Sequence, residues 1–295
     1  MSKPDLTTLL QSRYGSLSAS SSSAESPAAQ DGAIPLNPIL ETILKHRSCR
    51  NFLPNHPLPP GTPEILVAAA QSAATSSQLQ TWSAVAVSDP LHKDRVASLA
   101  GDQYFIRDAS LFFVFCADLD RLTTLSARHG LPGIGLEFTD MFLVASLDAA
   151  LAGQNAALTA ESMGLGICYV GAVRNRAAEL SELLRLPDRV VPVFGLAVGV
   201  FNPASKANDA AVKPRLPQSV VLRRETWDGG SKGGTNEEGS FEAYNHVMAE
   251  FNVAAGRGEM PSWTQRSAQI VEKAASLHGR HVLKDTLLAR GFEMR

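Results

Sequence analysis

The sequence predicts a layered protein of the α/β or α+β class, because short apolar strand candidates alternate with helix candidates along the chain. The strand candidates are WSAVAVS (82–88), LFFVFCA (111–117), GICYVG (166–171) and VVPVFGLAVGV (190–200). The second and the fourth are apolar almost throughout, which is typical of strands covered on both faces. We therefore expect a sheet with helices packed against it.

Several helix candidates begin at recognisable start signals. Asn37 is placed to cap a helix that opens at Pro38, and the segment 61–74 repeats this arrangement with Thr62 and Pro63. Further helices are predicted at 90–101, 175–186 with Asn175 as its cap, 241–252 and 263–278.

The longest helix candidate, 137–163, is followed by Gly164 and is unusually apolar. Between Met141 and Ala160 its one formal charge is Asp148. Such a segment is long enough to span a membrane. An aspartate in the middle of the span is costly in lipid, which favours a helix buried in a soluble core or in a subunit interface.

Composition narrows the classes of function. The 295 residues carry a formal net charge of -2, with 44% apolar and 19% charged residues. This is ordinary for a soluble globular protein and gives no global reason to expect nucleic acid or an anionic membrane as partner. The three cysteines, Cys49, Cys116 and Cys168, form no C-x-x-C pair, so a disulfide framework and a zinc ribbon are excluded and a cytoplasmic location is expected.

The ends of the chain suggest its domain organisation. Residues 1–34 are rich in serine and alanine and are predicted to be disordered, with no secretory signal visible. An organellar transit peptide is disfavoured by Asp5 and by the scarcity of arginine. We predict one folded domain over 35–295, with a flexible loop at 228–240 and a C-terminal helical excursion over 241–295.

Two basic stretches could bind phosphate. HRSCR places His46, Arg47 and Arg50 around Ser48, and the planar guanidinium of arginine matches phosphate with paired hydrogen bonds. VKPRLP carries Lys213 and Arg215 two residues apart, on one face if the segment is extended. Taken singly, HRSCR is better explained as a solvated basic surface, whereas VKPRLP fits a solvated surface and a binding site equally well.

A third polar stretch, TSSQLQTW (75–82), lies between a helix and a strand. Its hydroxyls and amides could converge on a ligand, although this stretch alone favours a plain polar loop. Other signatures fail: neither G-x-G-x-x-G spacing nor G-x-x-x-x-G-K-[ST] nor G-x-S-x-G occurs. His278 and His281 have no cysteine or carboxylate partner nearby in sequence, so no metal site is predicted.

In combination, however, these stretches resemble the nitroreductase superfamily. The order is HRSCRNF, AAQSAATSSQLQTW, AGDQYFIRDASLFFVFCAD, QNAALTAESMGLGICYVGAVRN, LPDRVVPVFGLAVGV and VKPRLP. They are most similar to its branch of NADPH-dependent oxygen-insensitive nitroreductases and NADPH–flavin oxidoreductases. The likeness runs from about Pro35 to Arg295.

The resemblance implies an α+β fold with a mixed, mainly antiparallel sheet flanked by helices, assembled as an intertwined homodimer with one FMN in each of two interface clefts. It also implies an FMN-dependent NAD(P)H oxidoreductase that reduces nitroaromatics, quinones or flavins by two electrons in a ping-pong cycle. NADPH or NADH would be the electron donor. The cofactor would carry the chemistry, so the resemblance names no catalytic side chain and no metal.

The resemblance implies the cofactor site residue by residue. His46, Arg47, Ser48 and Arg50 would hold the FMN phosphate and ribityl chain, completed by Lys213 and Arg215. The remaining contacts to the flavin would be Thr75, Ser77, Gln80, Gln103, Tyr169, Val170, Gly171 and Ala172.

Two departures from the family pattern bear on function. The chain has YVGA where relatives often have YIGG, which keeps the backbone donor at Ala172. In AAGRGEMPSW (254–263), Arg257 replaces a loop richer in arginine, so Arg257 and, more weakly, Arg266 are the candidates for the NADPH 2′-phosphate. Preference for NADPH over NADH therefore stays open. So do two alternatives: a same-fold flavoenzyme for dehalogenation or flavin fragmentation, and a flavin-binding protein without turnover.

Overall fold

The computed structural model describes residues 5–15, 34–205, 211–227 and 237–295. The chain forms two compact units. The sheet unit comprises residues 48–208 and 273–295, and the helical unit comprises residues 1–47 and 209–272.

Four antiparallel strands build the sheet. They are β1 (Trp82–Val87), β2 (Leu111–Asp118), β3 (Gly166–Val170) and β4 (Val190–Gly199), in the order β1-β2-β4-β3. Each neighbouring pair runs antiparallel. The predicted strands and the mainly antiparallel α+β sheet are confirmed, and no parallel pair occurs among the described residues.

The central pair β2–β4 is interrupted once. Phe115 pairs with Phe194, but Cys116 pairs with Pro192, so the register shifts by one residue between them. Proline has no N–H to give to the ladder, and a bulge is one of the few places where a strand accepts it.

Both units contain α-helices among the described residues. Those of the sheet unit are α3 (Thr62–Gln71), α4 (Pro90–Leu99), α5 (Tyr104–Asp108), α6 (Asp120–Arg128), α7 (Thr139–Ser162), α8 (Ala177–Leu183) and α12 (Leu283–Ala289). Those of the helical unit are α1 (Leu6–Tyr14), α2 (Pro38–Leu44), α9 (Gln218–Val221), α10 (Glu237–Ala254) and α11 (Trp263–Ile270). The predicted cap of α2 is confirmed, since Asn37 Oδ1 accepts hydrogen bonds from the backbone N–H groups of Ile39 and Leu40.

The long helix α7 packs on the sheet through small residues. Its buried face consists of alanines, Gly153 and Asp148, and Gly153 lies under the ring of Phe194. Among the described residues α7 alone is long and apolar enough to cross a membrane. Its packing against β2 and β4 is that of a core helix.

The opposite face of α7 is apolar and exposed. Leu143, Leu147 and Leu151 are 53%, 53% and 48% exposed. They are four residues apart, so they form one stripe along the helix.

The helical unit corrects the prediction for the N-terminus. Residues 6–14 form α1, so the predicted disorder of 1–34 is wrong for this stretch, while residues 16–33 lie outside the described part. Asp5 caps α1 by accepting from the Thr8 N–H at 2.8 Å. Leu9 is buried, and Tyr14 packs against a cluster centred on α10. The prediction of disorder rested on the serine-rich composition of the segment that follows α1, and it overlooked these few anchoring residues.

Two further boundaries differ from the prediction. The helix predicted over 263–278 ends at Ile270, and short 3₁₀ turns follow it. Asn175 does not cap α8, which begins two residues later with Arg176 at its N-cap and without a side-chain cap bond. The region 241–295 is also divided, because residues from Lys273 onward belong to the sheet unit. Most of the loop predicted at 228–240 lies outside the described residues.

We predict that Gly153→Ala destabilises the sheet unit. A Cβ at this position would stand 2.5 Å from Cζ of Phe194, closer than two carbons can approach. Overpacking of this kind costs about 1–3 kcal/mol, which outweighs the gain of up to about 1 kcal/mol in helix propensity. Urea unfolding measures the difference.

The matched control is Gly135→Ala, where nothing lies within 4 Å of the new Cβ. Its stability should stay within about 0.5 kcal/mol of the parent. Equal stability of the two variants would contradict the packing of Phe194 on α7.

Candidate functional site

The polar loop 75–81 is organised by one buried carboxylate, that of Asp148 on α7. Asp148 Oδ2 accepts from the hydroxyls of Thr75 and Thr81, at 2.6 and 2.8 Å, and from the Thr81 N–H at 3.0 Å. Asp148 Oδ1 accepts from the Ser76 N–H at 3.1 Å. The sequence showed Asp148 only as a charge in an apolar helix, and its role in this loop was missed.

Hydrogen bonding outweighs burial at this carboxylate. Burial alone raises the pKa of Asp148, but the hydrogen bonds from Thr75, Thr81 and Ser76 together hold that pKa below its ordinary value. Asp148 is therefore an anion at neutral pH, although its side chain is 2% exposed.

The same loop stores backbone strain. Ser77, Gln78 and Gln80 have φ angles of 48°, 57° and 54°, in the left-handed region that non-glycine residues rarely adopt. Strained residues of this kind cluster at ligand-binding sites, where the surrounding structure holds them. Ser77 and Gln80 are exposed.

Thr75 differs from these two predicted contacts. Its hydroxyl donates to Asp148 and accepts from the Gln80 N–H at 2.9 Å. Because its single proton is committed to Asp148, Thr75 could act toward a ligand only as an acceptor.

A second set of predicted residues gathers around Gly101. A Cβ on Gly101 would lie 3.6 Å from Cβ of Ala172 and 3.8 Å from Nε2 of Gln103. Gln103 itself donates to the Ala100 carbonyl at 3.2 Å and directly precedes α5. The structure thus brings two segments together that are about seventy residues apart in the sequence.

Arg50 lies against the same short helix. Its guanidinium is 5.8 Å from the ring centre of Phe105 in α5, and its charge acts on the thiol of Cys168 in β3. Burial raises the pKa of Cys168, and the positive charge of Arg50 partly offsets this increase.

The stretch from Tyr169 to Ala172 can reach a ligand mainly through its backbone. The Tyr169 side chain packs 5.3 Å from the ring of Phe194 and donates to Gln154 Oε1 at 3.3 Å. Its burial also raises the pKa of the phenol. Val170 is buried in the core, and a short 3₁₀ turn begins at Gly171.

Asn175 is a further candidate that the sequence analysis missed. Its Nδ2 lies 3.4 Å from the position of a Cβ on Gly101, beside Gln103 and Ala172. Its Oδ1 is buried and has no hydrogen-bond partner within the described residues. A buried acceptor of this kind is costly unless a ligand or water satisfies it. In the sequence, Asn175 is the last residue of GAVRN, where it is equally suited to cap the predicted helix at 175–186.

In the helical unit, Arg13 links the two basic segments. Its guanidinium donates to the carbonyls of Leu44, His46 and Lys213, at 2.7, 3.0 and 3.2 Å. The Arg13 carbonyl accepts from the Arg215 N–H at 3.0 Å. The His46–Arg47 segment and the Lys213–Arg215 segment are thus held by one residue.

The remaining predicted residues lie at the surface. Ser48 is exposed. Arg257 places its guanidinium 5.4 Å from the ring centre of Phe251, and Arg266 lies on α11.

Comparisons with known proteins identify the family of the chain. Residues 43–200 match the model of the nitroreductase family, and residues 213–295 match the model of the C-terminal domain of that family. The chain belongs to the nitroreductase family. The predicted family and fold are thereby confirmed.

Individual relatives place the chain in a branch of the family. It is 46% identical over 195 residues to "FMN reductase (NADPH)" of Bacillus subtilis, covering 65% of this chain and 76% of that protein. It is 31% identical to "NADPH-flavin oxidoreductase" of Vibrio harveyi, covering 84% of this chain and 95% of that protein. The solved structure of the NfrA1 nitroreductase from B. subtilis superimposes with a TM-score of 0.77 at 36% identity, covering 86% of this chain and 99% of that one.

We predict that Asp148→Asn destabilises this nitroreductase-family chain by about 2–3 kcal/mol, because charge-assisted hydrogen bonds to the carboxylate are lost. Equilibrium unfolding at pH 7 measures the loss. The folded-state pKa of Asp148 is lowered, so its stabilisation is present above the unfolded pKa of about 4 and disappears as pH falls through the folded pKa. The gap between parent and variant should therefore narrow as the medium is acidified from pH 5.

Asp140→Asn is the control, since Asp140 is exposed in the first turn of the same helix. It should cost less than about 1 kcal/mol. If the two variants lose equal stability, or if the gap for Asp148 is independent of pH, the carboxylate does not organise the loop.

Proposed function

We propose that this chain is an FMN-dependent NAD(P)H oxidoreductase that reduces nitroaromatics, quinones or flavins by two electrons in a ping-pong cycle. Family membership and the names of the relatives support this function. The observation that carries it is the grouping of predicted cofactor contacts within each unit: around Gly101 in the sheet unit, and around Arg13 in the helical unit.

The basic residues fit a phosphate monoester, which carries between one and two negative charges at neutral pH. Lys213 and Arg215 are exposed on either side of buried Pro214. The Tyr244 hydroxyl donates to the Pro214 carbonyl at 3.0 Å, so the backbone between the two cations is fixed. His46 and Arg47 follow Lys45, the C-cap of α2, and the guanidinium of Arg50 packs against the ring of Phe105.

The region around Gly101 fits the polar edge of a flavin ring. Asn175 Oδ1 offers a buried acceptor without a partner within the described residues, and Gln103 offers amide groups beside it. Gly171 and Ala172 present little side-chain bulk, so backbone N–H groups are accessible to a flat ligand. The strained loop at Ser77 and Gln80 adds exposed polar groups held by Asp148.

When bound, FMN supplies the two-electron chemistry, taking a hydride equivalent from NAD(P)H and passing it to the acceptor. The chain's own residues bind and orient the reactants. Their positive charge favours anionic states at the site, and their hydrogen bonds are formed before the ligand arrives. We assign no side chain as an acid or base.

The preference for NADPH or NADH depends on whether the protein binds the 2′-phosphate, which only NADPH carries. Arg257 is the first candidate to bind the NADPH 2′-phosphate, because its guanidinium is exposed and steadied by Phe251 and by Asn252 Oδ1 at 3.5 Å. Arg266 is the second. A single well-placed arginine makes NADPH the expected donor.

The first test is a visible absorption spectrum of the purified protein with added FMN. We expect the bands of oxidised flavin, and we expect them to bleach when NADPH is added without oxygen. Bleaching should be slower with NADH, since NADH lacks the 2′-phosphate that Arg257 would bind. Arg257→Ala should remove the difference between donors without preventing the slower reaction.

The other outcomes are informative. Flavin bands that neither donor bleaches would indicate a flavin-binding protein without turnover. Bleaching without subsequent oxidation by nitroaromatics, quinones or free flavin would indicate a same-fold enzyme with another reaction. A protein that never binds FMN would refute the proposal.

We further propose that the enzyme is a cytoplasmic homodimer with α7 in the subunit interface. The exposed stripe of Leu143, Leu147 and Leu151 is unusual for a surface that stays in water. The three cysteines are buried and form no disulfide bond, which is typical of proteins in a reducing compartment.

We predict that Leu147→Glu gives a monomer, because a charge placed in an apolar interface loses hydration without gaining a partner. Light scattering after size exclusion measures the mass, which should be half that of the parent. Leu125→Glu is the control, since Leu125 is a similarly exposed leucine, at 42%, on α6. A monomeric parent protein would refute the homodimer, and a dimeric Leu147 variant would place the interface elsewhere.

A further inference from the structure

We propose that Arg13 is a positioning residue that preorganises the phosphate-binding half of the FMN site, and that α1 is the element that carries it. This inference rests on the proposed function. It concerns a part of the chain that precedes both family matches, which cover residues 43–200 and 213–295.

The first contact of Arg13 is with the end of α2. Its Nη2 donates to the Leu44 carbonyl at 2.7 Å and to the His46 carbonyl at 3.0 Å. Leu44 is the last residue of α2, so its carbonyl is not used within the helix and carries part of the negative end of the helix dipole. A guanidinium at this point fixes the direction in which the chain leaves the helix, and therefore the position of His46 and Arg47.

The second contact is with the VKPRLP segment. Nη1 of Arg13 donates to the Lys213 carbonyl at 3.2 Å, and the Arg13 carbonyl accepts from the Arg215 N–H at 3.0 Å. These two bonds lie on either side of Pro214. Side chain and backbone of one residue thus hold the peptide groups from which Lys213 and Arg215 project.

Arginine is suited to this role because its planar guanidinium offers five donors in fixed directions. Three carbonyls from two segments are bound by one side chain that is 6% exposed. A lysine would bring a similar charge but could not reproduce this fork. The role of Arg13 therefore depends on geometry as well as on charge.

The rest of α1 anchors Arg13 within the helical unit. Leu9 is buried, and Tyr14 packs with Leu216 against the α10 cluster. Gly15, with a φ of 60°, ends the helix, and a Cβ there would lie 2.9 Å from Cγ1 of Val247. The close approach of Gly15 to α10 leaves Arg13 directed at the two basic segments.

The experiment compares FMN with riboflavin, which lacks the phosphate. Flavin-free full-length protein is titrated with each, and flavin fluorescence gives the dissociation constants. For the parent we expect FMN to bind at least about tenfold more tightly. Arg13→Met should weaken FMN binding by about tenfold, the effect of losing one charge-assisted interaction, and change riboflavin binding by less than about twofold.

The matched control is Arg290→Met. Arg290 also binds backbone carbonyls with its guanidinium, those of Leu186 at 2.6 Å and Val190 at 3.3 Å, but these carbonyls belong to the β4 region of the sheet unit. If Arg290→Met only lowers the stability of the protein, it should weaken the binding of FMN and of riboflavin equally. Arg13→Lys is the second test and should lose most of the preference for FMN.

Each outcome decides the proposal. A parental preference for FMN in Arg13→Met would overturn it, and so would a Lys variant that behaves as the parent, since charge alone would then suffice. A loss of preference in Arg290→Met would show a non-specific effect and would also overturn it. If the parent protein does not distinguish FMN from riboflavin, both the assignment of the phosphate site and the role of Arg13 are refuted. If the parent protein binds neither flavin, the proposed function itself is refuted.

Discussion

The carboxylate of Asp148 is the interaction on which the sheet side of the site depends. It lies in the helix that covers the sheet, and it accepts hydrogen bonds from residues 67 to 73 positions away in the sequence. Because an unpaired buried charge is costly, the loop must keep these bonds, and it tolerates three strained backbone positions to do so. The packing of α7 in the core therefore also determines the shape of the candidate site, because α7 cannot move without moving the loop 75–81.

The sheet could be predicted from the sequence, whereas the details of the helices could not. LFFVFCA and VVPVFGLAVGV are so continuously apolar that only buried strands accommodate them, and both were found. The helix predicted at 263–278 ended early, and α1 was missed altogether. Both errors arose where local composition was weak evidence, since α1 is held partly by Lys213, which is 200 residues away from Arg13 in the chain.

The candidate site shows a similar division. The sequence identified the residue types that suit a phosphate and a flavin, and the family resemblance supplied their order. Sequence could not show how these residues are held. The hydroxyl of Thr75 is committed to Asp148, the side chain of Tyr169 faces the core, and Asn175 has a buried acceptor instead of a capping role. Each of these facts depends on contacts between segments that are distant in the sequence.

A chain with a net charge of -2 must create its positive field locally. Placing several cations near one point costs energy through their mutual repulsion, and flexible side chains would relieve it by separating. Fixing the backbone of both segments limits that relief. Arg13 donates to the carbonyls of His46 and Lys213, and the Tyr244 hydroxyl donates to the carbonyl of Pro214. In the proposed site, this repulsion would be present before the phosphate binds, and the phosphate would gain affinity by neutralising it. In the proposed site, this preorganisation would depend on the carbonyls that Arg13 contacts, so a residue outside the matched ranges 43–200 and 213–295 would govern phosphate binding.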